Sequence, residues 1–287
     1  MRSLWIGLIF LVWGAGITPL AILLSRRYGM VDYPDQRKIH KGPVPRGAGI
    51  VLWSGLMLWA LLFAEVTFEL RVIVTGATLV FFAGYIDDML SLSPYGRLCV
   101  HFLAASLALL VLGHQSVPFM FLYLFWVAGM TNAYNFIDGM NGLALSMAFL
   151  SLGFLALAGM VNSVLPVLAM ILGVFFWNFP SAKTFLGDGG VYLLGYLTAC
   201  LALLQLIPMK IGLFKTAAAL LFVGGVPVMD TLSAIIRRLA DGKSPFYPDR
   251  KHIHHRLLAK GLTPPEVLAV LCALQMLSLG CAWSVLF

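Results

Sequence analysis

The stretch LWIGLIFLVWGAGITPLAILL, residues 4–24, runs 21 residues without a charge and is followed, after Ser25, by a basic pair, Arg26 and Arg27. A helix needs about 20 consecutive apolar residues to cross the hydrocarbon core of a bilayer. The run begins after MRS and would serve as a secretory signal. It is long, however, and carries no clear A-x-A site before the basic stretch, so it reads as a retained first span. Working outward, similar runs recur near 48–66, 70–86, 98–113, 117–133, 142–160, 162–179, 190–208, 213–236 and 264–286. The expectation is an all-α integral membrane protein of about ten helices, with residues 1–287 as a single polytopic domain. The connections are short except near 25–47 and 237–263. There is no internal repeat or low-complexity tract.

Composition agrees. The chain is 61% hydrophobic and 11% charged, with a mean hydropathy of +0.93, whereas a soluble domain carries about 25% charged residues. The net charge of +7 would suggest nucleic acid in a soluble protein. In a membrane protein it follows from Lys and Arg collecting in cytoplasmic loops, so no nucleic-acid partner is expected. Cys99, Cys200, Cys272 and Cys281 sit in apolar runs without C-x-x-C spacing and read as small buried side chains.

Ten spans put both termini on one side. The other side then holds Arg26, Arg27, Arg37, Lys38, Lys41, Arg46, Arg97, Lys183, Arg237, Arg238, Lys243, Arg250, Lys251, Arg256 and Lys260. Only Arg2, Arg71, Lys210 and Lys215 remain with the termini. This makes the first group cytoplasmic and both termini periplasmic or exterior. Asp32, Asp35, Asp87, Asp88, Asp138, Asp188, Asp241 and Asp249 fall on the cytoplasmic side too. Acids are not drawn there by the inside rule, so something on that face requires them.

Five stretches carry the candidate chemistry. GYIDDMLSL, residues 84–92, places Asp87 and Asp88 side by side at the end of the third span, where the helix dipole disfavours anions. Adjacent carboxylates resist joint ionisation unless a cation is near, which points to metal binding or proton handling. NAYNFIDGMNGLA, residues 132–144, spaces Asn132, Asn135, Asp138 and Asn141 every three residues, and its glycines admit a close ligand. An ordinary turn would not need so many polar groups at membrane depth. FLGDGGVYLLG, residues 185–195, puts Asp188 just before the eighth span, near an open helix N-terminus, where a hard cation could also grip phosphate. Lys183 is close enough to add a phosphate contact or to anchor the loop. SPFYPDRKHIHHRLL, residues 244–258, gathers Asp249, Arg250, Lys251, His252, His254, His255 and Arg256. Its cations argue against zinc and for phosphate. In a helix, His252, His255 and Arg256 would share a face. VDYPDQRKIHKGPVPRGAGI, residues 31–50, offers Arg37, Lys38, His40 and Arg46 to an anionic lipid or substrate, or is ordinary juxtamembrane sequence. Separately, Asp230 in GGVPVMDTLSAIIRR lies within an apolar span and needs a partner. Arg237 shares its helical face, and a structural pair and a catalytic role are both open.

Six blocks, DYPDQRKIHKGPVPRGAG, DDMLSL, NAYNFIDGMNGLA, FLGDGG, PVMDT and PDRKHIHHRL, resemble the polyprenyl-phosphate N-acetylhexosamine-1-phosphate transferase family in content and order. The last block is similar to the bacterial UDP-N-acetylglucosamine branch. The resemblance implies a bacterial inner-membrane enzyme with its active site facing the cytoplasm. It would transfer HexNAc-1-phosphate from a UDP-sugar to undecaprenyl phosphate, release UMP and start a cell-surface polysaccharide. It implies Mg2+, with Mn2+ as a substitute, held by Asp188 with Asn135 as helper. Asp87 resembles the aspartate that engages or deprotonates the lipid phosphate, and Asp88 its neighbour. Asn141 stands where many bacterial members carry Asp and is assigned to nucleotide contact. Arg97 stands roughly where the family has Lys near the diphosphate. His255 and Arg256 resemble the residues that contact the sugar phosphates. A homodimer is compatible with the family.

A transporter of an anionic substrate is the alternative from another class. It would place ionisable groups near mid-membrane in broken or repeated spans, whereas here they lie at the cytoplasmic ends. A CDP-alcohol phosphotransferase would need a DG-x-x-AR signature that the chain lacks.

Overall fold

The computed structural model describes residues 2–34, 42–111, 115–247 and 251–287. Asp35, Arg37, Lys38, His40, Lys41, Asp249 and Arg250 lie outside the described residues. Helices dominate: α1 (Arg2–Arg27), α2 (Ala48–Leu62), α3 (Phe68–Leu90), α4 (Pro94–Leu109), α5 (Val117–Ile137), α6 (Leu143–Leu155), α7 (Val161–Asn178), α8 (Gly187–Leu206), α9 (Leu213–Ala240), α10 (Ile253–Ala259) and α11 (Pro264–Leu286). Among the described residues, seven helical stretches are long and apolar enough to cross a membrane. The chain is a multi-pass, all-α membrane protein. One of the seven, Leu143–Asn178, is α6 and α7 joined through a wide π-helical turn, Ala156–Met160, where Gly159 adopts φ 117°.

Local chemistry sets several helix starts. Thr67 accepts a hydrogen bond from the Leu70 amide at the head of α3, and Ser93 accepts one from Gly96 ahead of Pro94 on α4. Thr263 and Glu266 form a reciprocal capping box on α11, with Pro264 at its first position.

The core is organised around α8. In its membrane-length stretch 83% of residues are buried, against 28% for α1, which lies at the periphery. Glycines let neighbouring backbones approach α8 closely. A Cβ on Gly49 of α2 would stand 2.6 Å from Gly190, and one on Gly84 of α3 only 2.4 Å from the Gly189 amide. This second contact seats the end of α3, with Asp87 and Asp88, directly on the start of α8, with Asp188.

Two features depart from the sequence expectation. Asp188 lies within the first turn of α8, not ahead of it. The proline-rich 25–47 stretch forms a short antiparallel ribbon, β1 (Val31–Asp32) against β2 (Val44–Pro45), with Asp32 facing Val44. The ribbon's exit is stitched to the chain before α8: the Phe185 amide donates to the Pro45 carbonyl, and the Gly47 amide to the Phe185 carbonyl. Arg46 is thereby carried to the mouth of α8.

Candidate active site

A cavity of about 390 Å³ opens where α3, α5 and α8 meet the ribbon and α10. Asp32, Arg46, Asp88, Asp138, Asn141, Asn178, Asp188 and His255 are among its lining residues. A larger cavity of about 660 Å³ near Glu65 and Glu69 contains none of the motif residues.

The two adjacent acids part company. Asp88 lines the cavity; its Oδ1 accepts from Arg46 Nη1 at 3.1 Å and its Oδ2 from the Asp188 amide at 2.8 Å. Gly187, at φ 69°, makes this approach feasible, because a Cβ there would stand 2.4 Å from Asp88 Oδ2. Arg46 also pairs with Asp32, so its guanidinium bridges two carboxylates. Asp87 is buried and not among the cavity-lining residues. Its Oδ1 accepts from the Leu92 amide at 2.7 Å, and its Oδ2 from Tyr192 Oη at 2.9 Å and Arg97 Nη1 at 3.2 Å. These three donors tie Asp87 to Arg97 and Tyr192, and a side-chain hydrogen bond links it to Asp188.

Asp138 caps α5 at the cavity wall. Burial pushes its carboxyl up to about 7, the Asp88 charge adds to the rise, and Arg46 opposes it. Asp188 interacts electrostatically with Asp87, Asp88 and Arg46. The cavity thus concentrates oxygen donors and negative charge around one bridging cation. Among the described residues no three acidic or histidine side chains converge into a ready cage. Mg2+ needs none, because it commonly takes one or two carboxylates and completes its shell with phosphate and water. The donor set fits that ion.

The histidines divide as well. His252 precedes α10, and its Nδ1 lies 2.8 Å from Asp230 Oδ2; the Ile253 amide donates to Asp230 Oδ1 at 2.9 Å. Asp230 therefore pairs with His252 and not with Arg237, the partner that helical spacing suggested. His254 is buried, and burial with two neighbouring histidines pushes it down to about 3, so it stays neutral. Its ring fills the space a side chain at Gly139 would need, with Nε2 2.1 Å from where a Cβ would sit. His255 alone of the three lines the cavity.

Asn132, Asn135, Lys183 and Arg256 are not among the lining residues. Asn135 lies one turn before Asp138 on α5. Lys183 stacks its ammonium 5.0 Å from the Trp177 ring, an anchoring contact. Asn141 donates to the Pro180 carbonyl at 3.1 Å from the cavity wall. Three residues of this region had no assigned role in the sequence reading. Asn178 ties the two loops together, accepting from the Gly142 amide and donating to the Thr184 carbonyl. Tyr192 stands one turn after Asp188, a spacing that could have signalled it. Asp32 carried no local signal, because its pairing with Arg46 depends on the ribbon.

Residues 70–205 match the model of glycosyl transferase family 4. Across most of its length the chain is also similar to the "probable undecaprenyl-phosphate N-acetylglucosaminyl 1-phosphate transferase" of Bacillus subtilis (strain 168). The two are 33% identical over 271 residues, which span 86% of this chain and 75% of the relative. The chain belongs to glycosyl transferase family 4. Two further relatives bear the name undecaprenyl-phosphate alpha-N-acetylglucosaminyl 1-phosphate transferase. The Yersinia pestis protein is 30% identical over 88% of this chain and 77% of its own length. The Escherichia coli (strain K12) protein is 29% identical over 90% and 77%. The family 4 match runs from α3 through most of α8 and so takes in the two cavity helices that bear Asp88 and Asp188. Arg46 and His255 join the cavity from outside it.

Proposed function

We propose that this family 4 enzyme transfers HexNAc-1-phosphate from a UDP-sugar to undecaprenyl phosphate. A lipid phosphate oxygen attacks the β-phosphorus of the nucleotide sugar. The bond from that phosphorus to the oxygen bridging the α-phosphate breaks, UMP leaves, and a lipid diphosphate sugar remains. The observation that carries this reading is the convergence of Asp88, Asp138, Asp188, Arg46 and His255 on one cavity. Phosphoryl transfer is largely a matter of positioning and charge stabilisation, and this set supplies both. The relatives' names support the lipid acceptor and the N-acetylglucosaminyl donor; other N-acetylated deoxysugars fit the same chemistry.

Mg2+, or Mn2+ in its place, would be held by Asp188 with Asp88 or Asn135, and when bound it would neutralise diphosphate charge. Arg46 orients Asp88 through its hydrogen bond to Oδ1. Arg97, held by Asp87, serves the diphosphate. His255 and Arg256 meet the nucleotide diphosphate, with His252 and His254 setting their helix. Asn132 and Asn141 serve nucleotide contact. The 15 basic residues grouped on one side support ten crossings, exterior termini and a cytoplasmic site in the inner membrane. That boundary is where a soluble nucleotide sugar and a membrane lipid can meet.

The test is UMP release from a panel of UDP-sugars with undecaprenyl phosphate. Release dependent on both substrates is expected; no release with any donor would overturn the reading. A pH dependence follows from Asp138. Protons compete with the cation for this cavity below about pH 7. The Mg2+ concentration for half-maximal rate should therefore rise severalfold between pH 8 and pH 6. A pH-independent requirement would mean that the Asp138 charge does not contribute to cation binding in this cavity.

A further inference from the structure

Near the middle of its 28 residues α9 is broken: Gly225 adopts φ 46°, and Pro227 follows two residues later. In an unbroken helix the Val223 carbonyl would accept from residue 227, but proline has no N–H to give. The Val226 amide would donate to Phe222, and the break prevents that too. Three backbone groups are thus left to be satisfied in an apolar span, where each unpaired group is costly.

Side chains from two other helices satisfy all three. Gln275 of α11, fully buried, accepts from the Val226 amide at 2.8 Å through Oε1. Its Nε2 donates to the Val223 carbonyl at 3.2 Å and to Ser151 Oγ of α6 at 3.1 Å. Ser151 donates to the same Val223 carbonyl at 3.0 Å. Ser278, one turn along α11 from Gln275, donates to the Phe222 carbonyl at 2.8 Å. Gly225 is what admits Gln275, since a Cβ there would stand 2.2 Å from Oε1.

One turn beyond the break stands Asp230, which holds both His252 and the first amide of α10. His255 follows on the same short helix and lines the cavity. We infer that Gln275, with Ser278 and Ser151, is a positioning residue that latches the break in α9 and so sets where Asp230 docks the α10 histidines. The latch acts on the cavity through α9 and touches none of the reacting groups. Its effect on turnover rests on the proposed reaction; its effect on the placement of α10 does not.

The experiment compares hydrogen exchange of the full chain in detergent for the parent protein, Gln275→Leu, Asp230→Asn and Leu271→Ala. Leu271 is fully buried on α11 and controls for simple destabilisation. Gln275→Leu keeps the bulk and removes the hydrogen bonds. It should speed exchange at least tenfold both at 226–230 and at 251–259, with α3 and α8 unchanged. Asp230→Asn should open 251–259 alone. In UMP release, Gln275→Leu should raise the UDP-sugar KM more than fivefold with a smaller change in kcat. If Gln275→Leu does not fold, Ser278→Ala, which removes one bond, should show a smaller change in the same two segments. The inference is overturned if 251–259 stays protected when 226–230 opens, or if Leu271→Ala opens 251–259 equally. An absence of UMP release in the parent protein would sink the proposed reaction and leave the exchange result standing.

Discussion

Asp188→Asn is expected to lower the rate of UMP release about a thousandfold, or ~4 kcal/mol of transition-state stabilisation, and to leave the protein at least as stable. The two outcomes have one cause. Asp188 shares its surroundings with Asp87 and Asp88, whose charges oppose its own, although Asp87 also hydrogen-bonds to it. In the proposed reaction that crowding would serve a cation and a diphosphate, while by itself it works against the fold. Removing one charge relieves repulsion, while the contact that ties α8 to α3 survives, because Asp88 accepts from the backbone amide of residue 188. A thermal melt beside the rate measurement reads both effects, and a gain in stability with a loss of activity is the usual mark of a functional site. Activity within tenfold of the parent protein, or a loss explained by unfolding, would remove Asp188 from its assigned role.

Arg46→Ala should cost about a hundredfold in rate and, unlike Asp188→Asn, destabilise the fold, by about 2 kcal/mol. Arg46 is the bridge between Asp32 and Asp88, whose side chains are 9% and 5% exposed. Breaking a fully buried pair costs about 3–5 kcal/mol. The Arg46 side chain is 32% exposed, so solvent softens the loss. Without the guanidinium, Asp138 loses the charge that opposes its rise, and the Mg2+ requirement should move to still higher pH. Arg46→Lys should recover part of the rate, since a single ammonium cannot reproduce a fork that serves two carboxylates. Adding Asp32→Asn to Arg46→Ala should restore stability without restoring rate. Recovery of both together would mean that Arg46 serves the fold alone.

Much of this arrangement was legible in the chain. Apolar runs near 20 residues mark helices because membrane-length hydropathy is a local property. The acids and histidines stood out because ionisable groups beside apolar runs need a reason to be there. What could not be read was direction. Asp87 and Asp88 are neighbours in sequence, yet successive residues on a helix point about 100° apart. Only the seating of α3 on α8, through Gly84 and Gly189, turns Asp88 to the cavity and Asp87 to Arg97. Asp230 offers the same lesson. Its need for a partner followed from sequence, and helical spacing nominated Arg237, but the break in α9 and the return of the chain supplied His252.

The run at residues 4–24 and its successors, by themselves, made this an all-α membrane protein, since hydropathy and length are carried by contiguous residues. The order of the polar blocks likewise placed the candidate chemistry at one end of the helices. Tertiary structure decided which carboxylate faces the cavity, that Arg46 joins it through a two-strand ribbon, and that His255 reaches it from α10. Those are contacts between residues distant in sequence. They depend on how closely glycine-lined backbones approach and where a broken helix points, and no local pattern encodes either.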